Sequence, residues 1–281
     1  MPKRRLVGLS VLVSAAISFA GCVDGIGPLT ERDSVVETRA FDPGGRFTIE
    51  DTNGRVEVAT WSEPRVRIEA DKAASSETAL KALRIEVSGE GDRVDVRTHM
   101  PHGPFLGGRG RVNYRITLPA SARVEARTVN GTVEVRGVAG AIQASTVNGS
   151  VEIKDAAGDV EASTVNGGVE ADYRTAPAAG HHRFSTTNGG IDVTLPRDAG
   201  GRIAAHVVNG GIDCDFDVTD GQRSRRRLEG RLGPGDASFE LNTVNGGIHL
   251  NRGLSSSPAR TNSPAKAPAE APAKGSGGLQ K

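Results

Sequence analysis

Thr146-Val147-Asn148-Gly149, followed by Ser150-Val151-Glu152-Ile153, is the stretch that decides the fold, because close copies of it recur along the chain. Counted from asparagine to asparagine, the steps after Asn130 are 18, 18, 22, 21 and 36 residues, so the last interval is close to two ordinary steps. Such a period is typical of repeat proteins, in which each unit packs on its neighbours. The corner copies begin at Thr52, Thr128, Thr146, Thr164, Thr186, Val207 and Thr243.

Each repeat, called a rung below, reads as two short strands on either side of an Asn-Gly corner. Val160, Ala162 and Thr164 share one strand face before a corner, and Val169 and Ala171 share one face of the strand after it. Aromatic residues make up 4% of the chain, which also has 37 glycines. The core must therefore be narrow and built mainly from Val, Ile, Ala and Leu, which suits a thin stack of strands.

Two folds fit this unit. Asn-Gly between alternating strands is a strong hairpin signal and would give an antiparallel β meander. A parallel solenoid instead stacks identical residues about 4.8 Å apart, and stacked asparagines can then hydrogen-bond one another. The near-identity of the corners favours the second fold. We predict an all-β protein, a parallel β-solenoid of about 18–22 residues per rung with at most one short helix, over Glu77 to Leu83. The meander is the alternative.

The N-terminal segment has the layout of a secretory signal, with a basic start before the apolar run from Leu6 to Ala20. As a helix this run would rise only about 22 Å, short of the roughly 30 Å hydrocarbon core of a membrane. Phe19-Ala20-Gly21-Cys22 resembles the bacterial lipobox. The resemblance implies that residues 1–21 are a signal peptide and that Cys22 becomes the first residue, acylated with chains such as palmitate. An ordinary secretory signal is the alternative.

Composition divides the remainder into three parts. Residues 22–40 have no sustained period and are expected to be a tether. Residues 41–253 contain the repeats, although the insertion from Thr219 to Gly235 departs from their spacing and leaves open whether a rung is broken there. Residues 254–281 consist largely of Ser, Pro, Ala, Lys and Gly, a composition that predicts a disordered tail.

The order of these features also carries a family resemblance. Asp51-Thr52-Asn53-Gly54 is followed by Trp61 with Val66 to Ala70, then by Ile116 to Pro119, and then by the successive corners. This order resembles the bacterial putative-adhesin family of envelope proteins, over about Phe41 to Gly253. The resemblance implies a β-solenoid, a location in the bacterial cell envelope facing the periplasm or the exterior, and a binding or adhesion surface. It implies no catalytic residue.

Charge argues against a nucleic-acid partner. The formal net charge is +1, but removal of Lys3, Arg4 and Arg5 with the signal would leave 32 basic against 34 acidic side chains. A mature charge near −2 does not favour binding to a polyanion through bulk electrostatics.

The sequence also lacks the common catalytic motifs, such as Gly-x-Ser-x-Gly, His-Glu-x-x-His, a phosphate-binding glycine loop and Cys-x-x-Cys. We therefore predict no enzyme activity, cofactor or metal. His181-His182 and the pair His99 and His102 lie in loop-like sequence and are expected to be solvated. Cys214, in an alternating segment, is expected to be a small buried hydrophobe.

One acidic series stands out. Its members each lie four residues after the asparagine of their rung, so a solenoid would stack them in one outward column. Like charges about 5 Å apart repel by about 1 kcal/mol per neighbour even in water. Basic side chains such as Arg136 and Lys154, or a bound cation, should relieve that repulsion, and a solvated face is favoured over calcium. The column consists of Glu134, Glu152, Glu170, Asp192 and Asp213.

The insertion carries a basic cluster, formed by Arg223, Arg225, Arg226 and Arg227. These side chains could meet lipid headgroups or an anionic cell-wall polymer, and a solvated loop is the simpler interpretation.

The sequence thus favours a noncatalytic, lipid-anchored envelope protein whose repeats offer a binding or adhesion surface to an envelope polymer or a surface protein. The alternatives are an accessory or sensor subunit of an envelope-stress system and a polysaccharide-processing enzyme. The enzyme is disfavoured because one Trp and two Tyr supply few aromatic platforms for sugars.

Overall fold

The computed structural model describes residues 29–100 and 110–254, which form β-strands and one short helix. The helix is α1 (Glu77–Ala82). The strands are β1 (Glu31–Glu50), β2 (Val56–Trp61), β3 (Arg65–Ala74), β4 (Arg84–Ser88), β5 (Gly91–His99), β6 (Gly110–Pro119), β7 (Arg123–Arg127), β8 (Val133–Arg136), β9 (Ile142–Asn148), β10 (Val151–Lys154), β11 (Val160–Asn166), β12 (Val169–Asp172), β13 (Ala179–Asn188), β14 (Ile191–Leu195), β15 (Gly201–Asn209), β16 (Ile212–Cys214), β17 (Thr219–Arg223), β18 (Arg227–Gly233), β19 (Asp236–Asn245) and β20 (Ile248–Arg252).

The strands form two layers that share one apolar core. Sheet A has the strand order β1-β3-β6-β2-β8-β10-β12-β14-β20-β16. Sheet B has the order β4-β5-β1-β7-β9-β11-β13-β19-β15-β18-β17. The long strand β1 belongs to both sheets, because its first half pairs with β3 and its second half pairs with β5 and β7.

The predicted parallel solenoid is confirmed. In sheet A, Val151 lies in register with Val133 and Val169, and in sheet B Ala162 lies in register with Ala144. All pairings between consecutive repeats are parallel, so an antiparallel meander is wrong for the repeated part. Antiparallel pairing occurs at the two ends of the stack, between β1, β3 and β6, between β4 and β5, and between β15, β18 and β17.

The spatial order of the last rungs differs from their order along the chain. The strands β19 and β20, which come last, lie between the β13–β14 rung and the β15–β16 rung. The insertion forms the antiparallel hairpin of β17 and β18, and β18 also pairs with β15. No rung is broken there. The strands β15 and β16 form the outermost rung, the hairpin of β17 and β18 returns the chain, and β19 and β20 then form the rung next to it on the inner side. The returning hairpin explains the long interval of 36 residues between Asn209 and Asn245.

The expected tether is wrong for residues 31–40. These residues pair with β3 over the whole register from Glu31↔Ala74 to Ala40↔Arg65. Alternation was missed because several of their inward side chains are polar, such as Asp33 and Glu37, whereas their pairing depends on backbone groups that any residue supplies. The signal peptide, Cys22 and residues 255–281 of the expected tail lie outside the described residues.

The predicted helix is confirmed as α1. Ser76 caps it, since its side-chain oxygen accepts a hydrogen bond from the backbone N–H of Ala79 at 3.2 Å. Leu83, which follows the helix, and Ala79 are buried against the N-terminal end of the core. The helix therefore covers one end of the stack, where no further rung is present to bury apolar side chains.

Candidate binding surface

The Asn-Gly corners fix how the rungs stack. From Asn130 onward, each asparagine Nδ2 donates to the Oδ1 of the preceding asparagine in the stack at 2.7–2.9 Å, so the corner amides form an unbroken asparagine ladder. At its first member, Asn53, Nδ2 donates instead to the carbonyl oxygen of Gly110 at 3.3 Å. The glycine after Asn148 has φ +149°, and a Cβ there would lie 2.0 Å from the carbonyl oxygen of Gly131. Glycine is required because the corners approach that closely. In spatial order the ladder is Asn53, Asn130, Asn148, Asn166, Asn188, Asn245 and Asn209.

A threonine column lies beneath the ladder, and four of its members tie their corner to the neighbouring one, namely Thr146, Thr164, Thr186 and Thr243. Thr146 Oγ1 donates to the carbonyl oxygen of Gly131 at 3.0 Å, and Thr164 does the same to Gly149 at 2.9 Å. These threonines are buried, and the hydrogen bond satisfies a hydroxyl that would otherwise be costly in the core. The corners thus hold the strands of both sheets in register.

The acidic column exists on the outer face of sheet A, with one correction. Glu134, Glu152, Glu170 and Asp192 occupy consecutive strands in register. The sequence predicts that Asp213 lies next to Asp192, and this is wrong. His249 of the inserted strand β20 lies between them. At the other end, the column continues into Glu57, which pairs in register with Glu134.

Glu57 and His249 were missed, although the same rule identifies them. Each stands four residues after a corner asparagine, Asn53 and Asn245 respectively. The interval of four residues is therefore a signal for both, in the first repeat as well as the last and for a histidine as well as a carboxylate.

Basic neighbours relieve the repulsion at the first half of the column. Glu134 is 2% exposed and forms ion pairs with both Arg55 and Arg136. Burial alone would raise the pKa of Glu134, but the hydrogen bonds from the two arginines outweigh it and lower the pKa below the ordinary value. Lys154 binds the next carboxylate, Glu152, at 3.2 Å. The predicted roles of Arg136 and Lys154 are confirmed, with Arg55 as an additional partner.

The second half of the column is different, because Glu170 and Asp192 form no ion pair within the part of the chain that the structure describes. Burial, followed by the nearby Asp172 carboxylate, raises the pKa of Glu170. Further along, His249 Nδ1 lies 3.5 Å from an oxygen of Asp213. The outer face of sheet A is therefore charge-balanced around Glu134 and acidic from Glu170 onward.

The arginine cluster lies at the C-terminal end of the stack, at the turn between β17 and β18. The backbone carbonyls of Arg226 and Arg225 accept hydrogen bonds from the N–H groups of Val207 and Ile212, at 2.9 and 3.0 Å. Arg223 donates to the carbonyl oxygen of Cys214 at 3.3 Å, and Arg227 pairs with Glu229 at 2.7 Å. The segment thus covers part of the exposed edge of the last rung. Charged side chains at such an edge disfavour the addition of further strands.

A groove of 490 Å³ crosses the outer face of sheet B. Its three carboxylates each have a partner. Glu125 pairs with Arg127 at 2.7 Å, Glu161 accepts from Gln143 at 3.4 Å, and Asp159 accepts from the backbone of His181 at 2.9 Å. Each carboxylate of the groove is thus already engaged by a neighbouring donor.

Two buried polar sites were not foreseen. His182 was expected to be solvated but is 1% exposed, because it points inward from β13, and its Nδ1 lies 3.0 Å from the Tyr173 hydroxyl. Burial lowers the pKa of His182 to about 4. Asp51 occupies a place in the threonine column, where it is only 6% exposed. Burial raises the pKa of Asp51.

Other predicted features can be placed as well. Cys214 is a free, half-buried thiol at the margin of the core, and burial raises its pKa. Among residues 29–100 and 110–254, no group of three or more His, Cys, Asp or Glu side chains is arranged to hold a metal ion. The same residues include no helix with the length and apolar character needed to cross a membrane.

Solved structures and one family model match this chain. No curated protein matches the sequence. One similar solved structure is that of a "putative cell adhesion protein" from Clostridium sporogenes, with 14% identity and a TM-score of 0.43 over 78% of this chain and 99% of that one. Another is a "putative adhesin" from Bacteroides fragilis, with 10% identity and a TM-score of 0.28 over 80% of this chain and 100% of that one. The Toastrack DUF4097 family model matches residues 47–251, most of the chain, and the chain therefore belongs to that family.

Proposed function

We propose that this protein is a noncatalytic, lipid-anchored component of the bacterial cell envelope, and that the outer face of sheet A binds an envelope polymer or a surface protein. One observation carries the proposal, namely the column of charged side chains on a sheet whose strands the corners hold in register. Repeated side chains at a fixed spacing suit a partner that is extended or itself repetitive.

The acidic half of the column is the expected contact region. Glu170 and Asp192 form no ion pair within the described residues, so they can interact with a cationic group without first breaking an internal contact. Glu134 would first have to break an internal contact, because Arg55 and Arg136 already form ion pairs with it. The partner should therefore carry positive charge or hydroxyl and amide donors, and binding should weaken as salt concentration rises.

A pull-down from isolated envelope fractions tests this surface. The double variant Glu170→Gln/Asp192→Asn should lose most of the bound material, whereas Glu125→Gln/Glu161→Gln on sheet B should retain it. Both variants remove two carboxylates from half-buried or exposed strand positions, so they are matched in charge. Equal binding by the two variants and the unmodified chain would place the contact elsewhere.

The anchor requires a separate test. At high salt, where electrostatic contacts are screened, Cys22→Ser should shift the protein from the membrane fraction to the soluble fraction. In detergent phase partitioning it should move to the aqueous phase, because acyl chains supply the salt-resistant membrane affinity. A Cys22→Ser variant that still fractionates with membranes at high salt would contradict lipid anchoring.

A further inference from the structure

A second concave site lies at the N-terminal end of sheet A, where Arg115 of its lining pairs in register with Glu57 at the end of the acidic column. It is a pocket of 670 Å³ over the beginning of β1, the end of β3 and the beginning of β6. Four basic side chains and two acidic side chains line it, so its lining carries a net charge of +2. The charged lining residues are Arg32, Lys72, Arg111, Arg115, Asp33 and Asp71.

The internal ion pairs leave two of these arginines available. Lys72 binds Asp33 at 2.6 Å, and Arg115 lies 3.5 Å from Asp71. Arg32 and Arg111 form no ion pair within the described residues, and both are exposed. The two acidic side chains of the pocket are thus already neutralised, and the uncompensated charge is that of Arg32 and Arg111.

Strand register places this pair around a small residue. Arg32 is opposite Ala73 in β1–β3 pairing, and Ala73 is opposite Arg111 in β3–β6 pairing. The two arginines therefore stand two strand spacings apart, about 9.6 Å, with only the alanine methyl group between them. Two guanidinium groups on either side of such a gap can bind the oxygen atoms of one phosphate, each through two parallel hydrogen bonds.

The position of the pocket indicates the source of that phosphate. Thr30 also lines the pocket, and eight residues separate Cys22 from Glu31. A chain of eight residues spans at most about 28 Å even when fully extended. If Cys22 is acylated, the pocket is held close to the headgroups of the membrane that carries the acyl chains.

We propose that the Arg32–Arg111 pocket binds the phosphate of anionic membrane lipids. The argument for the lipid source rests on the proposed anchor, whereas the phosphate chemistry rests on the pocket alone. Such binding would hold the N-terminal end of the stack against the membrane and direct the C-terminal end, with Asp213 and the arginine cluster, away from it.

Vesicle co-sedimentation tests the pocket without the anchor. Every strand pairing of the described fold lies within Glu31–Arg252, so a chain that begins at residue 23 keeps them all and cannot be acylated at Cys22. This chain should bind vesicles that contain phosphatidylglycerol and not vesicles of phosphatidylcholine alone. Arg32→Gln/Arg111→Gln should weaken binding by roughly 30-fold at low salt, as expected for two arginines at an anionic surface.

Arg225→Gln/Arg226→Gln is the matched control, because it removes the same charge from exposed side chains at the opposite end. It should leave vesicle binding nearly unchanged, and an equal loss in both variants would overturn the pocket as the site.

Binding of inorganic phosphate is the second measurement. Phosphate that binds to Arg32 and Arg111 while phosphatidylglycerol vesicles do not would assign the pocket to a soluble anion and overturn the proposal. Because this chain lacks Cys22, its binding to vesicles does not depend on acylation. A negative result here would therefore contradict the pocket and leave the lipid anchor, which the Cys22→Ser fractionation tests, unaffected.

Discussion

The central rungs, residues 123–195, and the C-terminal rungs, residues 201–252, use the same corner but assemble differently. In the central rungs each strand pairs with its counterpart in the next repeat, as β9 does with β11 and β11 with β13. In the C-terminal rungs β13 pairs with β19, and β15 is displaced outward. The Asn-Gly corner and its ladder are the same in both regions. The corner therefore sets the geometry within a rung and does not set the order of the rungs.

The two regions differ in the contacts that their strands make at the ends away from the Asn-Gly corners. Where β19 meets β13, the Phe239 ring stacks on His182 with centroids 5.0 Å apart, and Tyr173 contacts both rings edge to face. The hairpin strand β18 then covers the outer side of β15 while β19 covers its inner side. Both edges of β15 are thus paired by one returning segment, which leaves fewer unpaired backbone groups at the end of the stack.

The largest expected effect concerns the corner that both regions share. Gly167→Ala should destabilise the protein by about 3 to 5 kcal/mol, through close contact and backbone strain together. Its Cβ would lie 1.9 Å from the carbonyl oxygen of Gly149, and its φ is +153°. Gly168→Ala is the control, because the nearest atom to its Cβ would be 3.6 Å away. Urea denaturation of both variants checks this, and equal midpoints would contradict the close stacking of the corners.

The aromatic junction should make stability depend on pH. Because the pKa of His182 is lowered from 6.5 to about 4, below pH 6.5 the unfolded chain binds a proton that the folded chain does not. The free energy of unfolding should therefore fall between about pH 6.5 and pH 4, by up to about 3 kcal/mol, and His182 should contribute no pH dependence above that window.

The double variant Tyr173→Phe/His182→Phe provides the comparison, since it removes both hydrogen-bonding partners and keeps the aromatic packing. Thermal melts across this pH range should show a shallower decline than in the unmodified chain. If the melting temperatures of the two proteins fell equally with pH, His182 would not be buried against Phe239. The position of β19 between β13 and β15 would then lose support.

The narrow core of the central rungs should resist enlargement. Ala162 is completely buried between Ala144 and Phe184 of the neighbouring strands, so Ala162→Leu should overpack the core and cost about 1 to 3 kcal/mol. Ser163→Leu, which adds its bulk to the outer face of the same strand, should have a much smaller effect. A denaturation midpoint that responds only to Ser163→Leu would reverse the assigned faces of β11.

The smallest expected effect separates the interior of the ladder from its end. Asn148 makes two ladder hydrogen bonds, of 2.8 and 2.9 Å, whereas Asn209 makes one, of 2.9 Å. Both side chains are exposed, so Asn148→Ala should cost about 1 to 2 kcal/mol and Asn209→Ala about half as much. Combining Asn148→Ala with replacements at Asn130 and Asn166 should cost less than the sum of the single changes. Strict additivity, or a larger cost at Asn209, would count against the ladder.

Much of the candidate site could be predicted because it depends on a repeated local pattern. The acidic column follows from the fixed interval of four residues between each corner asparagine and its carboxylate, and that interval also identifies Glu57 and His249. The interval does not show which rungs are neighbours, and so Asp213 was placed beside Asp192. Likewise, the two histidines at 181 and 182 look alike in the sequence, and only the face of β13 on which each lies separates an exposed side chain from a buried one.

The sequence by itself determined the rung and the outward faces of strands β7 to β12, and it favoured parallel stacking, because these depend on alternation and on corners that repeat. The tertiary structure alone decided the order of the last two rungs and the pairing of residues 31–40 with β3. It also decided the pocket in which Arg32 and Arg111 flank Ala73. The physical reason is that backbone hydrogen bonds are indifferent to side-chain identity. Which strands become neighbours is settled by packing between segments far apart in the chain, as between His182 and Phe239.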